Sequence, residues 1–211
     1  GIVASDAIRV PTRERLLQSF VLEPLINGCL LVSHPGAPAG STVQWYGAFW
    51  AFIAQYLESR FGDRYCLSPE ASVKRHVQST IIPPQLIVYV PIQDNNTIQL
   101  PHHTSVTTIY SKNILSEQRR QIDGLWVMDL AASICKLSEP FYRNNPEDAE
   151  IALRMVRNPA DLLRVLLEED RVVVAGRLLG AYSFLGNTRA ATQIKETMEA
   201  TGNVVRVSNP F

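Results

Sequence analysis

The sequence is poor in the features that mark secreted, membrane or strongly charged proteins. It has three cysteines, Cys29, Cys66 and Cys135, and their wide spacing and odd number favour free thiols in a reducing compartment. Its 20 basic and 20 acidic side chains cancel, so no overall charge attracts nucleic acid. The longest apolar stretch, residues 45–57, contains Gln55 and is too short to cross a bilayer. We therefore expect a cytoplasmic protein without a membrane partner.

The sequence is also poor in patterns that hold a metal or a cofactor. No cysteine or histidine pairs occur at the short spacings of zinc sites, and the adjacent His102 and His103 would point to opposite faces of a strand. The glycines of 176–180 have a helical spacing and no phosphate-binding lysine follows them. We expect neither a metal nor a cofactor.

The composition is that of a globular protein large enough to bury a core. The chain has 211 residues, of which 46% are hydrophobic and 19% charged. Residues 34–40, rich in proline and glycine, read as a linker. A helix is predicted to end near residue 61, a second helix opens at Ser68, and strands are predicted within residues 86–110. Further helices are predicted over residues 127–137 and after the caps Asn145, Asn158 and Asn187, and a last strand is predicted over 204–207. The prediction is an α+β fold with two parts, 1–40 and 41–211.

The first part has the pattern of a helix followed by a β-hairpin. Thr12 is the predicted N-cap of a helix that runs to Val21 with a spaced apolar face. Residues 25–26 and 29–32 are apolar on either side of Asn27-Gly28, the strongest short signal for a hairpin. A helix followed by a hairpin is the second half of a winged helix, so we predict a partial winged-helix-like segment.

A winged helix would meet DNA through its helix and its hairpin turn. The candidate DNA-binding residues are Arg9, Arg13, Arg15, Asn27 and Gly28. Arginine is a bidentate donor to guanine and to phosphate oxygens. Against this, the three arginines of residues 1–33 are balanced by three carboxylates, and the turn carries no cation. A solvated helix end explains the arginines equally well.

Several motifs carry a resemblance to a known family. Residues 65–72 (YCLSPEAS), 84–90 (PQLIVYV) and 123–131 (DGLWVMDLA) are similar to the abortive-infection antitoxins of the AbiEi type. With residues 171–211, they resemble the region ahead of the catalytic domain in long bacterial Fic-family proteins, also called cell filamentation proteins. The resemblance implies an amino-terminal winged helix that represses its own operon, followed by an α+β domain for dimer or partner contacts.

The Fic reaction centre has no counterpart in this sequence. Its loop needs a histidine base ahead of Gly-Asn-x-x-Arg, whereas residues 181–185 (AYSFL) precede Gly186-Asn187 here. We therefore expect a non-catalytic regulatory module of a toxin–antitoxin type, cut from a larger protein. The expected partners are duplex DNA, a Fic domain in the same chain and a second copy of the chain. The alternative is a scaffold that positions a Fic AMP-transferase domain or its target.

Overall fold

The computed structural model describes residues 2–19, 22–26, 28–32, 42–112 and 118–211. The chain forms two compact units, each assembled from separate stretches. The first comprises residues 1–66, 81–114 and 123–125, and the second comprises residues 67–80, 115–122 and 126–211. The predicted boundary after residue 40, and the predicted linker, lie outside the described residues.

The first unit opens with a small antiparallel sheet that carries one helix. Its elements are β1 (Ile2–Ala4), a 3-10 turn (Ser5–Ala7), α1 (Val10–Gln18), β2 (Leu22–Ile26) and β3 (Cys29–Val32), with the strands in the order β1-β3-β2. Ile26 pairs directly with Cys29, so the predicted two-residue hairpin turn is confirmed. Pro24 lies on β2, an edge strand, where its missing N–H leaves no gap in the sheet.

The start of α1 corrects the sequence prediction. Arg9, not Thr12, is the N-cap, and the helix ends at Gln18 rather than at residue 21. Pro11 explains the earlier start, because its fixed φ suits the first turn and its missing N–H has no partner there. Strand β1 was not predicted, since three residues are too few to show a period.

The remainder of the first unit is a long helix and a mixed sheet. Helix α2 (Val43–Phe61) follows the prediction, and β4 (Cys66–Leu67), β5 (Gln85–Val90), β6 (Thr97–Leu100) and β7 (Thr104–Tyr110) form a sheet in the order β4-β5-β7-β6. Strand β7 is parallel to β5 and antiparallel to β6. The buried indole of Trp45 donates to Thr104 Oγ1 at 3.1 Å, which ties α2 to β7.

The second unit is mainly helical. Its helices are α3 (Pro69–His76), α4 (Leu130–Lys136), α5 (Glu139–Asn144), α6 (Pro146–Met155), α7 (Pro159–Glu168), α8 (Val172–Phe184) and α9 (Thr188–Ala200). Three predicted caps are confirmed, since Ser68, Asn158 and Asn187 each accept a hydrogen bond from a first-turn amide. The apolar faces of the helices form one continuous core, which includes Ala149, Leu166 and Ile194.

Two predicted elements are wrong in this half. Residues 127–128 are not the start of a helix but belong to β9 (Leu125–Met128), which pairs with β8 (Arg119–Ile122). The turn residues Asp123 and Gly124 both have positive φ, the geometry of a tight hairpin. Residues 203–211 form no strand, because they lie along α8 rather than beside another strand. The predicted α+β class is nevertheless confirmed.

Two further observations concern the described part of the chain. None of its helices is both long and apolar enough to cross a membrane. Within the same residues, no group of three or more histidine, cysteine, aspartate or glutamate side chains is placed to hold a metal ion.

Candidate nucleic-acid interface

Helix α1 is held at the surface of the first unit. None of its nine residues is fully buried, and Val10 exposes 53% of its area. Leu16 and Leu17 are half-buried and give the helix its inner side. Because so little apolar area is buried, α1 needs other contacts to hold its position beside the hairpin.

Ser5 supplies those contacts by linking α1 to the hairpin turn. The Arg13 guanidinium donates from Nη1 to Ser5 Oγ at 2.8 Å and to Ser5 O at 3.3 Å. The Ser5 N–H in turn donates to Gly28 O at 2.7 Å. Two predicted residues, Arg13 and Gly28, are thus brought together, but Arg13 acts as a tie and not as a free cation. No pattern in the sequence had indicated a role for Ser5.

The other two arginines have solvent-facing side chains. Arg9 is exposed at the N-cap, and Arg15 is exposed in the last turn of α1. At helical spacing Thr12, Arg15 and Ser19 share one exposed face of α1 and form a polar strip. No pattern in the sequence had predicted this strip. Glu14, the one carboxylate of α1, directly precedes Arg15 and is also exposed. The strip is polar and weakly basic.

The hairpin turn is only partly described. Asn27 lies outside the described residues, so the structure does not place it. Gly28 is exposed with φ +85°, a conformation that L side chains rarely adopt. Cys29, next along β3, is half-buried, and burial raises the pKa of its thiol. That thiol is therefore a poor nucleophile at neutral pH.

The buried histidine of the second unit has a structural role. His76 Nε2 donates to Met128 O at 2.8 Å, while Met128 N donates to Ser72 Oγ at 3.0 Å. Burial lowers the pKa of His76, and the nearby charge of Arg120 lowers it further. Ser72 and His76 lie one helical turn apart on α3. Together they form hydrogen bonds with the backbone N–H and C=O of Met128 on β9. This pairing fixes the orientation of the His76 ring against β9.

No protein-family model matches this chain, and no curated protein matches it.

Proposed function

We propose that residues 2–32 form a winged-helix-like module that binds duplex DNA, in a cytoplasmic protein of bacterial Fic-linked or AbiEi-like antitoxin type that regulates its own transcription without catalysing a reaction. The observation that carries the proposal is the strand order β1-β3-β2 with α1 entered directly before the hairpin. This arrangement presents one helix and one turn side by side, as winged helices do.

The charges of the module support contact with a phosphate backbone more than a sequence-specific grip. Arg9 and Arg15 are exposed and free to reach phosphate oxygens, whereas Arg13 is held by Ser5. Thr12 and Ser19 add hydroxyls that hydrogen-bond to either phosphates or bases. With two exposed cations, the expected affinity is modest and falls with rising salt.

The test is a fluorescence anisotropy titration of the full chain against its upstream promoter duplex and a scrambled duplex, at two salt concentrations. Arg15→Ala is expected to weaken binding to both duplexes and to reduce the salt slope by about 1. Arg157→Ala, which removes the same charge from an exposed loop of the second unit, is the matched control and should bind as the wild type does.

Arg13→Ala separates positioning from contact. Because Arg13 ties α1 to Ser5, its loss should loosen the helix and lower the free energy of unfolding of the module by about 1 kcal/mol. Arg15→Ala should leave that free energy unchanged within about 0.5 kcal/mol. Equal binding of wild type and Arg15→Ala to every duplex at low salt would contradict the DNA-binding proposal.

A scaffold for other proteins is the second candidate. The second unit leaves Ile151 and Met155 exposed, at 46% and 42%, one turn apart on α6. Its surface arginines are largely neutralised within their own helices, as in the Arg154–Glu150 pair at 2.9 Å. Such a surface suits a partner protein more than a nucleic acid. A stable dimer by sedimentation, with no shift on DNA, would favour this reading.

A further inference from the structure

The end of the described chain is held on α8 by close backbone contact. Residues 203–211 have no regular secondary structure and follow the side of α8 that carries Gly176 and Gly180. A methyl group added to Gly176 would overlap the carbonyl oxygen of Arg206, and one added to Gly180 would overlap that of Ser208. The two glycines are therefore required by the tail and not by the helix, which alanine would suit better.

Residues 203–211 are anchored by one backbone hydrogen bond to α8 and by Val205 and Phe211, which pack against the core of the second unit. Ser208 N donates to Gly176 O at 3.2 Å. Pro210 is buried, and the Phe211 ring stacks on Phe184 with centroids 5.2 Å apart. Val204 and Val207, by contrast, expose 83% and 60% of their area. The docked tail thus leaves much of its own apolar surface in water, so the free energy that holds it is small.

One buried group opposes docking. The Phe211 ring packs edge-on against Tyr142, with centroids 5.6 Å apart. Tyr142 is fully buried, and its hydroxyl has no hydrogen-bond partner among the described residues. A buried hydroxyl without a partner is destabilising, and access of water would relieve that loss.

From these contacts we propose that residues 203–211 form a releasable strap. The strap leaves α8 while the helices of the second unit stay folded, and its departure uncovers the Gly176–Gly180 groove and the Tyr142 hydroxyl. Docking of the strap therefore controls the access of solvent to this face of α8.

Trypsin cleavage after Arg206 measures release of the strap. Arg206 is exposed within it, whereas Arg177 is half-buried within α8 and is cut by trypsin only when that helix unfolds. Limited trypsin digestion of the full chain, followed by intact-mass spectrometry, gives the two cleavage rates side by side. When opening is fast, each rate follows the population of the open form.

Two variants should release the strap and one should tighten it. Gly180→Ala and Phe211→Ala are expected to raise cleavage after Arg206 at least tenfold, with cleavage after Arg177 unchanged. Tyr142→Phe, which removes the hydroxyl that has no partner, should lower cleavage after Arg206. Gly47→Ala on α2 is the control for a helical glycine, because an added methyl there meets nothing within 4 Å.

The wild-type chain provides a test that does not depend on a variant. Amide hydrogen exchange over residues 204–211 is expected to be at least a hundredfold faster than in the centre of α8. Equal exchange in both segments, or cleavage after Arg206 and Arg177 that rises in the same proportion in Gly180→Ala, would show that the tail is released only by global unfolding. Either result would overturn the proposal that residues 203–211 are released as a strap.

Discussion

The contact between Trp45 and Thr104 gives the sharpest quantitative prediction. The indole is fully buried and donates to Thr104 Oγ1, whose own hydroxyl donates to Pro101 O at 2.7 Å. Thr104→Val keeps the shape of the side chain but removes both hydrogen bonds. The indole N–H is then left buried without an acceptor, which costs about 1–3 kcal/mol. We expect the free energy of unfolding of the first unit to fall by about 2 kcal/mol.

Equilibrium urea unfolding followed by tryptophan fluorescence measures this loss. Thr107→Val is the matched control, since Thr107 lies on the same strand and its hydroxyl forms hydrogen bonds with the exposed side chains of Gln85 and Thr97. That change should alter the free energy by less than about 0.5 kcal/mol. In a Trp45→Phe background the cost of Thr104→Val should shrink by about 1 kcal/mol, because the donor is gone. A loss at Thr104 no larger than at Thr107 would refute the reasoning.

Three further predictions concern the second unit. Burial would raise the pKa of Glu169, but hydrogen bonds from Lys136 and Arg171 outweigh burial and lower the pKa. The wild type should therefore lose stability as pH falls below about 4.3. Glu169→Gln should flatten that part of the stability profile, as measured by thermal unfolding at a series of pH values. Asn187→Ala removes the cap of α9 and should cost about 1 kcal/mol in urea unfolding, and no loss would show that the cap is dispensable. Tyr142→Phe should leave thermal stability unchanged or raise it, whereas a loss above about 1 kcal/mol would mean that the hydroxyl has a partner.

Signals that act over a few residues predicted structure well in this chain. Asn27-Gly28 specified a two-residue hairpin, because a tight primed turn needs positive φ and few residues other than glycine and asparagine adopt it readily. Ser68, Asn158 and Asn187 were correctly placed at helix starts, since a short side chain satisfies a nearby amide without help from the rest of the fold.

The errors occurred where the partner is distant or the segment is short. Residues 204–207 are rich in valine, as strands are, yet α8 offers glycines and not a strand edge, so the segment stays irregular. Trp126 and Val127 suit a helix or a strand, and pairing with β8 decided for a strand. Such choices depend on which surface the chain meets, and a local pattern does not contain that information.

The candidate interface divides in the same way. Sequence alone identified the three arginines and the hairpin turn, because residue type and turn chemistry are local properties. The tertiary structure decided their roles: folding brought Ser5 within hydrogen-bond reach of Arg13 and Gly28 and left Arg9 and Arg15 exposed. Gly176 and Gly180 follow the same rule. Their helical spacing is visible in the sequence, but the need for glycine comes from close packing against residues 206–208, some thirty residues further along the chain.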